Sequence, residues 1–209
     1  MIEKGFAKTA CLSILSAAMG IVGIFTVVAG QDRDFRDPEF TEKNQLIRPK
    51  NYREWIFVSS GLGMSYTQTT PTDGHRPSFD NVFVEPSAYR TFLRTGRWPD
   101  KTIFVLEVRS SSSHGSINLA GSFQDALVGV EAEVKDESRF PEKWAYFSFD
   151  ENGRLKDTAT ALPKESCFSC HHTNGAVENT FTQFYPTLHP VAISKGTLNP
   201  GYKPDTSQK

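Results

Sequence analysis

The chain has almost no excess of charge of either sign. Lys and Arg number 23 against 24 Asp and Glu in 209 residues, which gives a formal net charge of -1. Nucleic-acid-binding domains carry a strongly basic face, so this balance predicts that nucleic acid is not a partner. The apolar content of 38% is ordinary for a globular chain and excludes a fibrous or wholly disordered one. The length predicts one domain with tails.

The first thirty residues have the three-part layout of an export signal. Lys4 and Lys8 precede an uncharged apolar run over residues 12–28, and Ala29 follows as a small residue. This layout predicts a signal peptide over residues 1–30, cut after Ala29 or Gly30, and a periplasmic or otherwise exported protein. The run is also about long enough to span a bilayer, so an N-terminal membrane anchor is the alternative. Residues 31–50 are rich in charge and predict a linker.

The rest of the chain lacks the periodicity of a four-helix bundle and shows short β-prone runs. These runs cover residues 55–58, 82–84, 102–109, 126–135 and 144–149. One helix is predicted to open at Glu85-Pro86 and to stop at Gly96. The succession predicts an α+β fold, mainly antiparallel β-sheet with a few helices, over residues 51–193. The Gly- and Pro-containing tail, residues 194–209, is predicted to be flexible.

The run over residues 126–135 alternates strictly. Its apolar positions are two residues apart, and the positions between them include Glu131, Glu133 and Lys135. A period of two places the two sets on opposite faces of a strand, which predicts one core face and one polar face. A further turn is predicted at Asn152-Gly153.

The segment Cys167-Phe168-Ser169-Cys170-His171 has the C-x-x-C-H pattern of haem c attachment. Two cysteines three positions apart reach the two vinyl groups of one porphyrin, and the adjacent His171 provides an imidazole ligand for the iron. A redox dithiol would need a thioredoxin-like context, a zinc site would need a fourth ligand beyond the cramped His172, and a disulfide would be strained. The pattern therefore predicts one covalently bound haem c with His171 as the metal ligand.

The second axial ligand is less well marked. A six-coordinate electron carrier needs a Met or His on the distal side of the haem. After residue 30 the candidates are Met64, His75, His114, His172 and His189. Each has an ordinary alternative role as a core, loop or tail residue, which favours a five-coordinate iron and leaves the six-coordinate carrier as an alternative.

Several short motifs occur in a recognisable order around this pattern. They are Tyr52-Arg53-Glu54-Trp55, Asn81 to Pro86 with Tyr89, Thr95 to Asp100, Glu107-Val108-Arg109, Val134-Lys135-Asp136 with Arg139-Phe140, Cys167 to His171, and Phe184 to Leu188. The stretch from Tyr52 to Leu188 resembles the cytochrome P-460 family, which includes the beta-type cytochromes c-prime. The resemblance implies an antiparallel sheet with helices, a homodimer, and a five-coordinate haem in a pocket for small nitrogen compounds.

Two departures from that family bear on the activity. In its hydroxylamine-oxidising members a strand lysine is cross-linked to the haem edge, whereas the corresponding position here is Leu106, and the nearest lysine, Lys101, lies five positions earlier. The acid that such enzymes can have before the haem motif is absent from residues 158–163. The sequence therefore favours a protein with an apolar, aromatic pocket that binds nitric oxide. A hydroxylamine- or nitric oxide-converting enzyme is the alternative, and no redox partner is predicted.

The haem is predicted to be held by the C-terminal loop against the apolar face of the sheet. Aromatic side chains are large enough to wall off a flat macrocycle. The candidates are Trp55, Phe83, Phe104, Trp144, Phe147 and Phe184, of which about half are expected to be core residues only.

Overall fold

An antiparallel sheet of five strands forms the centre of the molecule, with each strand beside its neighbours in the sequence. The computed structural model describes residues 37–65 and 76–203, all within the unit that runs from Phe35 to Lys209. In chain order its elements are β1 (Leu46–Ile47), a 3₁₀ turn (Tyr52–Glu54), β2 (Ile56–Leu62), β3 (Phe79–Val84), α1 (Pro86–Thr95), β4 (Ile103–Ser112), β5 (Phe123–Lys135), β6 (Trp144–Ser148), β7 (Asp150–Glu151), β8 (Arg154–Leu155), β9 (Thr158–Ala159), α2 (Phe168–Asn174), a second 3₁₀ turn (Thr182–Phe184) and α3 (His189–Lys195). Strands β2 to β6 form the sheet, and the predicted α+β class is confirmed.

The first helix begins and ends where its sequence predicts. The Glu85 carboxylate accepts hydrogen bonds from the backbone N–H groups of Ser87 at 2.8 Å and Ala88 at 2.9 Å, which caps the helix. Pro86 occupies the first turn, where its missing N–H costs nothing. Gly96 ends the helix with φ 71°, a left-handed conformation that favours glycine. The predicted turn at Asn152-Gly153 joins β7 to β8.

Both faces of the sheet are covered. One face packs against α1, α2 and α3, and we call this cluster the helix-side core; it contains Val58, Val84, Phe92, Trp98, Phe104, Trp144, Tyr146, Phe168 and Tyr185. The opposite face packs against the N-terminal segment, and we call this cluster the N-terminal core; it contains Leu46, Tyr52, Trp55, Val105, Val130, Val134, Phe147 and Phe149. The cleft described below opens on the helix side.

The described part of the predicted linker contributes to the N-terminal core. Leu46 is fully buried and pairs with Ala159 through β1 and β9. The Phe40 ring lies 6.0 Å from that of Phe140 and 6.1 Å from that of Phe147. Most charged residues of this stretch are exposed around a few apolar residues that pack inward, and no periodicity in the sequence marks those residues. The folded region thus begins before Tyr52.

Strand β5 has the predicted alternation, but burial of its two faces is uneven. The expected core face holds for Val130, which is buried, but Ala126 and Val128 are exposed, because this end of β5 pairs with β4 alone. The expected polar face is not a solvent face, since Glu133 is 8% exposed and Lys135 is 7% exposed. The C-terminal segment covers these side chains. Alternation within one strand does not predict whether a distant segment of the chain packs against it.

The C-terminal segment is ordered beyond residue 193. Helix α3 ends at Lys195, and the buried Thr197 hydroxyl donates to the Gly96 carbonyl at 2.7 Å. The amide of Asn199 donates to the carbonyls of Gly175 and Glu178. The signal peptide or anchor over residues 1–30 and residues 204–209 lie outside the described residues. Among the helices that are described, none is both long and apolar enough to cross a membrane.

A buried carboxylate fastens the back of β4 to the N-terminal segment. Glu107 is 2% exposed and accepts hydrogen bonds from the Tyr52 hydroxyl at 2.5 Å and from Arg109 at 2.6 Å. Arg53 pairs with the same carboxylate at 2.5 Å. Burial alone would raise the pKa of Glu107, but these donors outweigh it and lower the pKa, so the carboxylate stays charged. Two of the family-like motifs thus meet on the face opposite the cleft.

A second buried carboxylate organises the turn after β5. Asp136 accepts hydrogen bonds from the Ser138 and Arg139 backbone N–H groups at 3.1 and 3.0 Å, and Lys101 lies 2.5 Å away. Burial would raise the pKa of Asp136, but the hydrogen bonds from Lys101 and Ser138 outweigh it and lower the pKa to about 2. A carboxyl whose pKa falls on folding stabilises the native state above its unfolded pKa.

Replacing Asp136 should therefore destabilise the fold in a pH-dependent way. Asp136→Asn should lower the free energy of unfolding by about 1–3 kcal/mol near neutral pH, since charged hydrogen bonds are lost. This deficit should be complete above about pH 5 and should shrink as the pH falls toward 2, where the native carboxyl is protonated. Urea unfolding of both proteins across this range measures it, with the exposed Asp150→Asn as control. A deficit that is independent of pH would contradict the assignment.

Candidate functional site

The C-x-x-C-H residues lie on the first turn of α2, beside the helix-side face of the sheet. Cys167 is the residue before the helix and Cys170 lies three positions on, so the two thiols are neighbours on one side of it. Both thiols are free and partly exposed. Burial, with added repulsion from Glu131 and Glu133, raises the pKa of the Cys167 thiol. Two adjacent thiols of this kind fit the thioether positions of one porphyrin.

The imidazole of His171 is held in one orientation. Its Nδ1 lies 2.9 Å from the Asn179 carbonyl oxygen, and because a carbonyl only accepts, Nδ1 carries the proton and Nε2 keeps its lone pair. The ring lies between those of Tyr146, with centroids 4.5 Å apart, and Phe181, with centroids 4.1 Å apart. Burial lowers the pKa of His171 to about 4, so the ring is neutral at neutral pH. A neutral, oriented imidazole is the form that binds a metal.

A cleft lies between this helix and the sheet. It holds about 830 Å³ of empty space, its solvent-open mouth included. Strands β2 to β6 provide one wall and the C-terminal segment provides the other. Its lining includes Ser59, Met64, Asp80, Val82, Phe104, Leu106, Glu131, Glu133, Tyr146, Leu162, Cys167, His171, Phe181, Phe184 and Tyr185. Cys170 faces an adjoining recess that shares Phe181 and Phe184 with the cleft. The two thiols and the oriented imidazole at this cleft form a donor set that fits haem c.

Three carboxyl groups on the sheet wall were not expected. Asp80 on β3 and Glu131 and Glu133 on β5 line the cleft, whereas the sequence predicted an apolar and aromatic lining. Burial raises the pKa of all three, and the charge of Asp80 adds to the effect at Glu131. Carboxyls whose pKa values are raised in a cleft are candidate proton donors and acceptors.

The sequence pattern predicts an acid only before the haem motif, whereas these three acids lie on strands far from it in the chain. Strand register brings them in from elsewhere: Glu131 pairs with Leu106, and Asp80 lies on the next strand beyond. The alternation along β5 was the available signal, but it predicts only a polar face and does not show that this face lines a cleft. Only the antiparallel pairing of β5 with β4 and the cover by α2 turn that face into a wall.

Leu106, the predicted haem-edge position, lies on the cleft wall with Phe104. The other lysine considered, Lys101, points elsewhere: its Nζ contacts Asp136 at 2.5 Å and Ser138 at 3.2 Å. Neither of those partners lines the cleft.

Of the six aromatic candidates, Phe104 and Phe184 line the cleft. Phe147 contributes to its wall but packs in the N-terminal core, which also holds Trp55 and partly buried Phe83. Trp144 packs in the helix-side core away from the cleft lining. Sequence reasoning missed Tyr146, Phe181 and Tyr185, which line it. The last two belong to the segment after the motif, where no periodicity marks them.

The structure separates the candidates for a distal ligand. Among the described candidates, Met64 lies on the cleft wall. A Cβ placed on Gly61 would lie only 2.3 Å from the Met64 Sδ, so the thioether packs directly against that glycine. His114 and His172 are exposed, and the His172 Nδ1 bonds the Asn179 side chain at 3.1 Å. His189 lies on α3, outside the cleft lining. His75 lies outside the described residues.

A sequence model of the cytochrome P460 family matches residues 49–182, a range that contains the sheet and the motif. The chain therefore belongs to the cytochrome P460 family, and it is a cytochrome with covalently attached haem c. The resemblance seen in the sequence is confirmed. A search of curated proteins finds no significant match to the chain.

The haem edge is the position at which a lysine would change the spectrum. We expect the wild-type protein to have an ordinary haem c spectrum, because Leu106 has no nitrogen to bond the ring, and substitution of the macrocycle is what alters its electronics. Leu106→Lys should place an amine on the cleft wall and shift the absorption bands to the red. Lys101→Leu, the control, should leave the spectrum unchanged. A red-shifted wild-type spectrum that Lys101→Leu abolishes would contradict this assignment.

Proposed function

We propose that the protein is an exported mono-haem cytochrome that binds a small neutral nitrogen ligand, such as nitric oxide, at a five-coordinate iron. In this proposal Cys167 and Cys170 form the thioethers and His171 is the axial ligand. The observation that carries it is the hydrogen bond from His171 Nδ1 to the Asn179 carbonyl, which leaves Nε2 as the metal-binding atom. The position of Met64 over Gly61 supports an open opposite side.

Different residues of the cleft would select the ligand and exchange protons. The haem iron supplies a position that binds a diatomic ligand. Val82, Phe104 and Leu106 give an apolar stretch of wall, which favours neutral ligands and excludes water. Burial raises the pKa values of Glu131 and Glu133, so these two carboxyls are the groups of the wall that would exchange protons with a bound molecule. The Tyr146 hydroxyl lies 3.2 Å from the Glu133 carboxyl and helps to fix it in place.

Hydroxylamine oxidation is the second candidate, and the same carboxyls favour it. That reaction releases protons, and a proton acceptor on the cleft wall would assist it. Glu131 is the best placed of the three, since it lies opposite Leu106 in the strand register. The leucine itself counts against this activity, as it provides no amine for a cross-link. A six-coordinate electron carrier is the third candidate. Among the described candidates for its second ligand only Met64 lines the cleft, and it would have to leave its place over Gly61.

Ligand binding and turnover distinguish these candidates. Ferrous holoprotein titrated with nitric oxide should form a nitrosyl complex, seen by optical and electron paramagnetic resonance spectra. Hydroxylamine should be oxidised slowly or not at all. Rapid turnover by the wild type, lowered about 10²-fold in Glu131→Gln as loss of a proton acceptor would do, would instead support hydroxylamine oxidation over nitric oxide binding. The exposed Glu151→Gln is the matched control. A six-coordinate resting spectrum that Met64→Leu converts to five-coordinate would support the electron carrier.

Export and homodimer formation are further parts of the proposal. The N-terminal layout supports export. Family resemblance supports a homodimer, and the hairpin between β4 and β5 carries Ile117 and Leu119, which are 92% and 99% exposed.

Native mass spectrometry of the holoprotein from an expressing cell tests both points. The expected species is a dimer of chains that begin near Gln31, each with one haem. A membrane-bound full-length chain would favour the anchor, and a monomer at micromolar concentration would contradict the dimer.

A further inference from the structure

The Asn179 carbonyl that orients His171 belongs to a strained turn. Residues 177–180 form this turn, and the Thr180 N–H donates to the Val177 carbonyl at 3.0 Å. Glu178 within it has φ 54°, a left-handed conformation that favours glycine. A bulky residue keeps such a conformation only where the surrounding contacts determine it. Glu178 therefore has partners that hold the turn.

The main partner is Lys135, at the end of β5. Its Nζ donates to the Glu178 carboxylate at 2.9 Å and to the Trp98 carbonyl at 2.7 Å, and it lies 5.9 Å from the centre of the Trp144 ring. The side chain of Lys135 is 8% exposed and that of Glu178 is 18% exposed. An ion pair sheltered to this degree is screened far less than a surface pair.

Asn199 holds the other side of the turn. Its Oδ1 accepts from the Glu178 N–H at 2.9 Å, and its Nδ2 donates to the Glu178 carbonyl at 2.6 Å. The turn is thus tied to the sheet by one residue and to the C-terminal segment by another. Neither Lys135 nor Glu178 lines the cleft.

We propose that Lys135 and Glu178 are positioning residues for His171. Their ion pair holds the turn, the turn holds the Asn179 carbonyl 2.9 Å from Nδ1, and that hydrogen bond makes Nε2 a stronger electron donor. The inference rests on the proposed function, in which Nε2 binds the haem iron. A stronger donor favours the ferric state, so breaking the pair should raise the reduction potential of the haem.

The signs of the shifts separate positioning from simple electrostatics. Lys135→Met removes a positive charge, which by charge alone would lower the potential, whereas Glu178→Gln removes a negative charge, which would raise it. Positioning predicts that both variants raise it. It also predicts that the double variant shifts the potential by no more than the larger single shift, because both changes release the same turn.

The experiment measures the midpoint potential and the iron–histidine stretching band of the ferrous holoprotein for these three variants. The band should move to lower frequency in each. Lys164 and Glu142 form another ion pair, whose side chains are 55% and 43% exposed. Like Lys135, Lys164 lies over an aromatic ring, 5.2 Å from the centre of the Phe168 ring. Lys164→Met and Glu142→Gln are therefore the matched controls. The controls should leave the band in place.

Shifts of opposite sign, or an unmoved band, would overturn the proposal. If Lys135→Met does not fold, the test rests on Glu178→Gln. The iron–histidine band of that variant should move, whereas it would stay in place if Glu178 had a purely structural role. If His171→Gly leaves the wild-type band and potential unchanged, the proposed ligand itself is wrong, and that result is distinct from a failure of positioning.

Discussion

The hydrogen bond between His171 Nδ1 and the Asn179 carbonyl is the contact on which the candidate site depends. It decides which nitrogen of the ring carries the proton, and so which one is available to a metal. The Tyr146 hydroxyl donates to the same carbonyl at 3.1 Å, which links the histidine to β6. The helix and the sheet wall thus share one acceptor, and a shift of that backbone group would alter both sides of the cleft.

The cleft combines an apolar wall with acids, and this combination decides the chemistry. Leu106 and Glu131 are directly paired across β4 and β5, so the leucine predicted to lie at the haem edge and an acid whose pKa is raised by burial are neighbours. An apolar wall alone would suit a carrier of neutral diatomic molecules. The acid adds a route for protons, which a carrier of diatomic molecules does not require. Whether the apolar wall or the acid dominates the chemistry therefore distinguishes the proposed ligand-binding role from hydroxylamine oxidation.

The sequence was sufficient for features whose causes are local. The spacing of Cys167, Cys170 and His171 marked the site, and Glu85, Pro86 and Gly96 marked the ends of α1. It was insufficient where contacts join distant segments. Glu133 was predicted only to lie on a polar face, and its burial could not be predicted because the segment that covers it lies more than thirty residues away in the chain. Asn199 lies in the tail that was predicted to be flexible, yet its side chain accepts a hydrogen bond from the Glu178 N–H. A single side-chain hydrogen bond of this kind leaves no periodic pattern in the sequence.

Mass spectrometry of the tryptic peptides of the holoprotein tests the central claim most directly. Cleavage after Lys164 and Lys195 gives one peptide, Glu165–Lys195, that contains both cysteines of the motif and no internal Lys or Arg. The account predicts that this peptide carries the mass of one haem and that neither Cys167 nor Cys170 reacts with an alkylating reagent. Haem on another peptide, or alkylation of both thiols in the haem-loaded protein, would contradict it.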